Sequence, residues 1–281
     1  MADASLTHGV WLERVPDLVA ECAEEWDLRL AEPYEPGATG YAVRAELPAG
    51  RQVVLKLIYP HRESEHEADA LARWDGEGAV QLLARDDDRS AMLIERCEPG
   101  TTLATAGPEV ALDVLIGLLP LLWVEAGGPF HTLEDEAAWW IGYLPDQWER
   151  SGGAVERRFV DAAVDVLSSL SQSQGEQVLL HQDLHGDNVL AAERKPWLVI
   201  DPKPLIGERE FAVAPIVRSS ELGQSKRDVL YRLDRVTSDL GLDRDRARGW
   251  TIGQTMAWAF DDGHYIPTHL ETVRWLLDDA T

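Results

Sequence analysis

Apolar residues recur at Val10, Leu12, Val15, Leu18, Val19, Cys22 and Trp26, close to a 3.6-residue period, which predicts an amphipathic helix over 10–26. From Leu28 the texture changes. Short apolar runs broken by Gly and Pro predict three strands, about 28–34, 40–47 and 52–59, with turns at Pro36-Gly37 and Pro48-Ala49-Gly50. The stretch after them, RESEHEADALARW, predicts a helix over about 63–74, ended by Gly76 and Gly78. Two further strands around the acidic turn at Asp86–Asp88 close this part, which finishes at Glu98-Pro99-Gly100.

Beyond that point helical periodicity dominates, near 108–126, 134–150, 155–173, 225–240, 243–260 and 267–279. One strand-rich island, 178–201, interrupts it. No internal repeat or low-complexity tract is present. The pattern therefore predicts an α+β chain, with a small antiparallel sheet region over 1–98 and a larger, mainly helical region over 99–281.

The island carries the strongest chemical signal. His181 to Leu190 reads HQDLHGDNVL, which fits H-x-D-x-x-x-x-N with His181, Asp183 and Asn188. The register is unique: starting from His185 places Asp187 correctly but leaves Ala192 where the Asn belongs. After a turn at Arg194-Lys195-Pro196, the apolar run 197–200 ends in Asp201. This set suits phosphoryl transfer. One carboxylate orients an acceptor hydroxyl and takes its proton, while a second carboxylate and an amide oxygen hold the magnesium that neutralises the phosphates.

Lysine is scarce, confined to Lys56, Lys195, Lys203 and Lys226. Lys56 sits inside VVLKLI, where a strand lysine among apolar neighbours is placed to grip phosphates. A carboxylate on the next helix would hold its ammonium. Glu63 and Glu67 both qualify, and Glu67 is preferred because it borders the apolar side made by Ala68, Leu71 and Ala72. Gly37 and Gly40 lie in the loop before the lysine strand. Glycines there either bring backbone amides to phosphate or simply form a hairpin.

Charge narrows the partners. The 281 residues hold 50 acids against 26 Lys and Arg, a net −24. Nucleic acid and anionic membrane surfaces need the opposite sign, so neither is expected as a partner. The acidity is spread along the whole chain, so it reads both as solubility and as a field favouring a cationic substrate. Two cysteines, Cys22 and Cys97, make no disulfide framework and fit a reducing, cytoplasmic setting. The N-terminal stretch lacks a basic flank followed by an apolar block, so no secretory leader is expected.

In this order, glycine-bearing loop, strand lysine, helix glutamate, then Asp183, Asn188 and Asp201, the chain resembles the protein-kinase-like antibiotic phosphotransferases. It is most similar to the branch containing streptomycin 6-kinases and hydroxyurea phosphotransferases, through EHEADALARWDGEGAVQLL, LIERCEPGTTL, HQDLHGDNVL and VIDPKP. The resemblance covers roughly residues 35–205. It implies a bilobal kinase-like fold binding ATP and magnesium. Asp183 would be the base, Asn188 and Asp201 the metal ligands, and Lys56 with Glu67 the phosphate grip. The adenine would meet the backbone near Glu95, Arg96 and Cys97. Two departures stand out: Gln182 occupies a position that is glycine in many relatives, and Pro202-Lys203 follow the metal aspartate.

The expected acceptor is a small cationic molecule bearing a hydroxyl, with the enzyme a monomer or homodimer. Candidate contacts are Asp261 and Asp262 after Trp258-Ala259-Phe260, and more weakly Glu134–Glu136 before Trp139-Trp140. The same acids also read as a turn and as helix N-terminal charges. Three functions stay open: an antibiotic O-phosphotransferase for an aminoglycoside or a basic peptide of the viomycin and capreomycin kind; a metabolic kinase for an amino sugar or amino alcohol; and a non-catalytic nucleotide-binding protein. Intact Lys56, Asp183, Asn188 and Asp201 argue against the last.

Overall fold

The computed structural model describes residues 7–35, 40–125, 127–261 and 264–280. The chain divides into two compact units, 1–101 with 190–203 and 102–189 with 204–281.

In the first unit, helix α1 (His8–Glu25) is capped by Thr7, whose hydroxyl accepts the Val10 N–H at 3.4 Å. Trp11, Val15, Leu18, Val19 and Cys22 form its buried stripe. They cover an antiparallel sheet of β1 (Arg29–Pro33), β2 (Gly40–Glu46), β3 (Gln52–Ile58), β4 (Leu82–Asp86) and β5 (Ala91–Glu95), in the order β1-β2-β3-β5-β4. Side chains alternate across a strand. Val53, Leu55 and Leu57 of β3 join the α1 core, so Val54, Lys56 and Ile58 take the opposite face. Helix α2 (Glu67–Trp74) follows β3. It begins four residues later than the periodicity predicts. The Ser64 hydroxyl donates to the carbonyls of Tyr59 and His61 at 3.1 and 3.2 Å, holding the preceding residues in turns instead.

The second unit carries α3 (Pro108–Leu122), β6 (His131–Thr132), α4 (Leu133–Arg150), α5 (Arg157–Ser171) and β7 (Gln177–Leu180). The chain then enters the first unit as the hairpin β8 (Val189–Ala191) and β9 (Trp197–Val199). It returns through β10 (Leu205–Glu208), α6 (Ala214–Arg218), α7 (Lys226–Leu240), α8 (Arg244–Ala257), β11 (Phe260–Asp261), β12 (His264–Tyr265) and α9 (Pro267–Leu277). β10 pairs parallel to β6 and antiparallel to β7. Helix α8 lies tightly on α5: a Cβ on Gly253 would come within 2.6 Å of Leu167, and one on Gly249 within 2.8 Å of Leu170. Glu208, fully buried at the end of β10, accepts Arg246 Nε and Nη2 at 2.8–3.1 Å, the Gly175 N–H at 2.7 Å and the Trp250 indole N–H. A buried carboxylate needs such a set of donors.

The strand pair β6–β10 and helix α6 are absent from the sequence reading, because elements of two to five residues are too short to show a period. The linear division at 98 is likewise replaced by an interleaved one. Val80 donates to the Val199 carbonyl at 3.1 Å and Val199 to that of Gly78 at 2.9 Å. Gly100 donates to Ala191 O at 3.0 Å, and Ala191 to Thr101 O at 2.9 Å. These backbone bonds bind the hairpin to the sheet unit. Among the described residues, no helix is long and apolar enough to cross a membrane.

Candidate active site

Lys56 is the centre of the first unit's polar cluster. Its Nζ donates to Glu67 Oε1 at 2.6 Å and to Asp201 Oδ1 at 2.7 Å. Each partner reaches it for a local reason. Glu67 is the first residue of α2, where a carboxylate is favoured by the helix dipole. Asp201 lies two residues beyond the end of β9, at a left-handed φ of 56°. The ammonium and Glu67 are buried, 10% and 4% exposed, while Asp201 is 50% exposed. Burial alone would release the Lys56 proton, but the charges of Asp201 and Glu67 outweigh it and hold the group protonated. Burial lifts the Glu67 carboxyl, and the Lys56 charge opposes that lift. Of the two acids considered from sequence, Glu67 meets the lysine; Glu63 lies 3.5 Å from Lys203. Gly40 sits beside the lysine stem, where an added Cβ would be 3.6 Å from Lys56 Cε. Gly37 lies outside the described residues.

Glu95, whose backbone is expected near the adenine, has its N–H and carboxylate engaged within the first unit. Its N–H donates to Gln81 O at 2.9 Å, and its carboxylate accepts Arg194 at 2.8–3.0 Å and the Gln81 N–H at 3.1 Å. Arg194, in the β8–β9 turn, also donates to the carbonyls of Gly76 at 2.7 Å and Ala79 at 2.9 Å. The pair fastens the Asp201-bearing hairpin to the sheet. Cys97 is buried, and burial, with the Glu95 charge, pushes its thiol up to about 12, so it stays neutral.

The second unit holds the His181–Asp183–Asn188 motif. β7 leads into buried His181, whose Nδ1 accepts the Asp183 N–H at 3.3 Å. Asn188 Nδ2 donates to the Asp183 carbonyl at 2.9 Å and closes the loop. Gly186 is required, because a Cβ there would come within 2.9 Å of the Ala104 backbone nitrogen. Gln182, the departure noted from sequence, has a φ of 65°, the left-handed region glycine enters freely. Its carbonyl accepts Gln254 Nε2 at 3.0 Å. The Gln254 oxygen accepts Arg218 Nη1 at 2.6 Å, and Arg218 Nη2 reaches Asp183 Oδ1 at 3.3 Å. The Arg218 guanidinium lies 4.2 Å from the Trp258 ring centroid.

Glu221 supports the same loop, accepting the Gly186 N–H at 2.9 Å and the Ser219 hydroxyl. Burial would raise its pKa, but these donors outweigh it and keep the carboxylate ionised. The His185 ring lies between two acids, 3.8 Å from Asp183 Oδ1 and 3.8 Å from Glu221 Oε1. Arg232 is 1% exposed and donates to the carbonyls of Val217, Leu222 and Gly223 at 2.7–3.1 Å, fixing the segment that bears Arg218 and Glu221. Burial lowers its pKa to about 10, which still leaves it charged at neutral pH.

The acceptor candidates fare unevenly. Asp261 pairs with His264 in β11–β12, and Asp262 lies outside the described residues. Asp135 is used in capping α4: the Thr132 hydroxyl accepts its N–H at 3.1 Å and bonds its carboxylate at 2.7 Å. Trp140 is core, whereas Trp139 is exposed and stacks on Tyr143 at 4.8 Å. Sequence reading missed Arg194, Arg218, Glu221, Arg232 and Gln254. Arg232 stands on the buried stripe of α7 with Val229, Leu233 and Val236, and none of the five belongs to a motif, so only the tertiary fold reveals what each of them bonds.

A family model described as "Aminoglycoside/hydroxyurea antibiotic resistance kinase" matches residues 34–263. The chain belongs to this family. It is 38% identical over 264 residues to the hydroxyurea phosphotransferase of Kitasatospora aureofaciens, covering 90% of this chain and 75% of that one. It is 35% identical over 263 residues to the streptomycin 6-kinase of Streptomyces griseus, covering 90% and 85%. Among solved structures, the choline kinase LicA from Streptococcus pneumoniae superposes with a TM-score of 0.68 at 15% identity, over 94% of this chain and 99% of that one. That likeness is one of fold, and it identifies the α+β architecture as protein-kinase-like. The family member described here is therefore a phosphotransferase of the kinase class.

Proposed function

We propose that this kinase transfers a phosphoryl group from ATP to a hydroxyl of a cationic antibiotic, a streptomycin-like aminoglycoside or a basic peptide of the viomycin and capreomycin kind, and thereby inactivates it. The observation that carries the ATP half is the buried Lys56 ammonium, kept charged by Glu67 and Asp201. The streptomycin 6-kinase relative supports the acceptor half. LicA, of the same fold, has also been solved in complex with AMP.

In this reading Lys56 binds the phosphates, and Glu67 aims it. Asn188 and Asp201 are the magnesium ligands. The donor set fits: magnesium prefers hard oxygens, Asp201 offers a half-exposed carboxylate, and the bond from Asn188 Nδ2 to Asp183 O leaves the amide oxygen as the atom to present. Bound magnesium supplies neutralisation of the phosphate charge. Asp183 orients the acceptor hydroxyl and takes its proton. The backbone near Glu95, Arg96 and Cys97 contacts the adenine, and Gly37 and Gly40 line the phosphates. Asp261 and Asp262 receive the acceptor's cationic groups.

The test is phosphoryl gain by mass spectrometry, with MgATP and a panel of streptomycin, other aminoglycosides, capreomycin, viomycin, amino sugars and hydroxyurea. A phosphorylated cationic antibiotic is expected. If only a neutral metabolite gains phosphate, the antibiotic reading falls. A second reading, transfer to the hydroxyl of hydroxyurea, is favoured by the 38% identity to a hydroxyurea phosphotransferase and is read from the same panel.

A further inference from the structure

We propose that Arg218, with Gln254 and Trp258, is a positioning device that holds Asp183 in its working orientation. The inference rests on Asp183 being the base, and it adds the groups that aim it.

The geometry is a closed circuit on two consecutive residues. Gln254 of α8 takes the Gln182 carbonyl, which fixes the peptide entering Asp183. Arg218, the last residue of α6, takes the Asp183 carboxylate itself at Oδ1. A 2.6 Å bond between Arg218 and Gln254 joins the two holds. The backbone of Asp183 and its side chain are thus set by one unit. The planar fork of arginine makes this possible, since it points one nitrogen at the carboxylate and another at the amide. Trp258 closes the face of the fork through a cation–π contact.

Two further observations separate this from an incidental ion pair. Arg218 is 8% exposed, and the segment carrying it is pinned by the carbonyl bonds of Arg232. The device is therefore rigid before any substrate arrives. Gln182 also occupies a left-handed backbone that disfavours side-chain-bearing residues. Such a conformation persists where surrounding contacts over-determine it, and Gln254 supplies that contact. The two features match: the non-glycine residue at 182 goes with an amide clamp on its carbonyl.

A positioning role predicts a loss in turnover rather than in nucleotide affinity, because misplacing a reacting group by about 1 Å costs on the order of 100-fold. Phosphate release from MgATP would be measured with water as acceptor and with streptomycin, for wild type, Arg218→Ala, Arg218→Lys, Gln254→Leu, Asp183→Asn and the Asp183→Asn/Arg218→Ala pair, with melting temperatures recorded. In Arg218→Ala, kcat should fall about 100-fold while KM for ATP changes less than threefold. Arg218→Lys should recover part of the loss, because it restores the charge but not the fork. In the Asp183→Asn background the Arg218 change should cost almost nothing more, as expected for groups acting as one. Kcat within threefold of wild type in Arg218→Ala, or an equal further loss in the double variant, overturns the proposal. If Arg218→Ala does not fold, Arg218→Lys and Gln254→Leu carry the same reading, and unchanged kcat in both overturns it. Retained turnover in Asp183→Asn instead removes the base assignment, a separate outcome.

Discussion

The Lys56 cluster and the Asp183 loop solve opposite problems with opposite materials. Around Lys56 one buried ammonium faces two carboxylates brought from 11 and 145 residues away. Around Asp183 the chain bonds mostly to itself, through His181 and Asn188, and only then reaches outward to Arg218 and Gln254. The first arrangement is a charge trap. It keeps an ammonium ionised where burial would discharge it, as the proposed contact with phosphate requires. The second is a geometric frame, in which hydrogen bonds fix where one carboxylate points. A phosphate grip tolerates small displacements because charge acts over distance, whereas proton transfer needs contact.

That contrast can be broken at several points. The largest effect belongs to the frame's central residue. Asp183→Asn keeps the shape but removes the proposed proton acceptor, so kcat should fall about 1,000-fold with ATP binding retained, read by steady-state kinetics and by nucleotide titration calorimetry. On the trap side, Glu67→Gln removes one of two countercharges. KM for ATP should rise about 10-fold with a smaller change in kcat, as expected when binding common to ground and transition state is lost. An equal loss in both parameters would make Glu67 part of the frame instead.

Stability sharpens the comparison further. Arg194→Ala leaves Glu95 mostly buried without its guanidinium and should destabilise the protein by about 3 kcal/mol in urea denaturation. Because Arg194 fastens the hairpin bearing Asp201, KM for ATP should rise with it. In the second unit His269 gives a smaller, pH-dependent signature. Burial, helped by the Arg218 charge, lowers its pKa from 6.5 to about 4, so the folded protein holds it neutral. The unfolded chain binds a proton there below 6.5 and the folded one only near 4, so stability is full above 6.5 and falls as pH drops between those values. The difference between wild type and His269→Asn should shrink by on the order of 2 kcal/mol across that window. No change with pH would mean the ring titrates freely when folded.

How far the sequence reads depends on how local each feature is. α1, β3 and α5 announce themselves because packing repeats along their length, and the HQDLHGDNVL motif does so because its bonds close within eight residues. Lys56 was legible as an oddity, a lone lysine among apolar strand neighbours. Its Asp201 partner was legible only through motif spacing. Arg194 and Arg218 carried no signal, since a single arginine in a turn or a five-residue helix is compatible with any surface, and Arg232 carried only its place on the apolar stripe of α7, which does not name its carbonyl partners. Glu95 shows another limit: its place at the end of β5 points to a backbone role, while the Arg194 partner of its carboxylate, 99 residues on, is invisible in the sequence.

What the sequence determined by itself is the class of element in each long stretch and the identity of the chemical groups, because both follow from periodicity and residue type over a few turns of chain. Tertiary structure decided which groups meet. The hairpin 190–203 joins the sheet unit rather than its sequence neighbours, and with it Asp201 comes to Lys56. α6 and α8 deliver Arg218 and Gln254 to the loop. Those pairings depend on crossing connections and on the burial of lone polar groups, which must find partners wherever the fold supplies them.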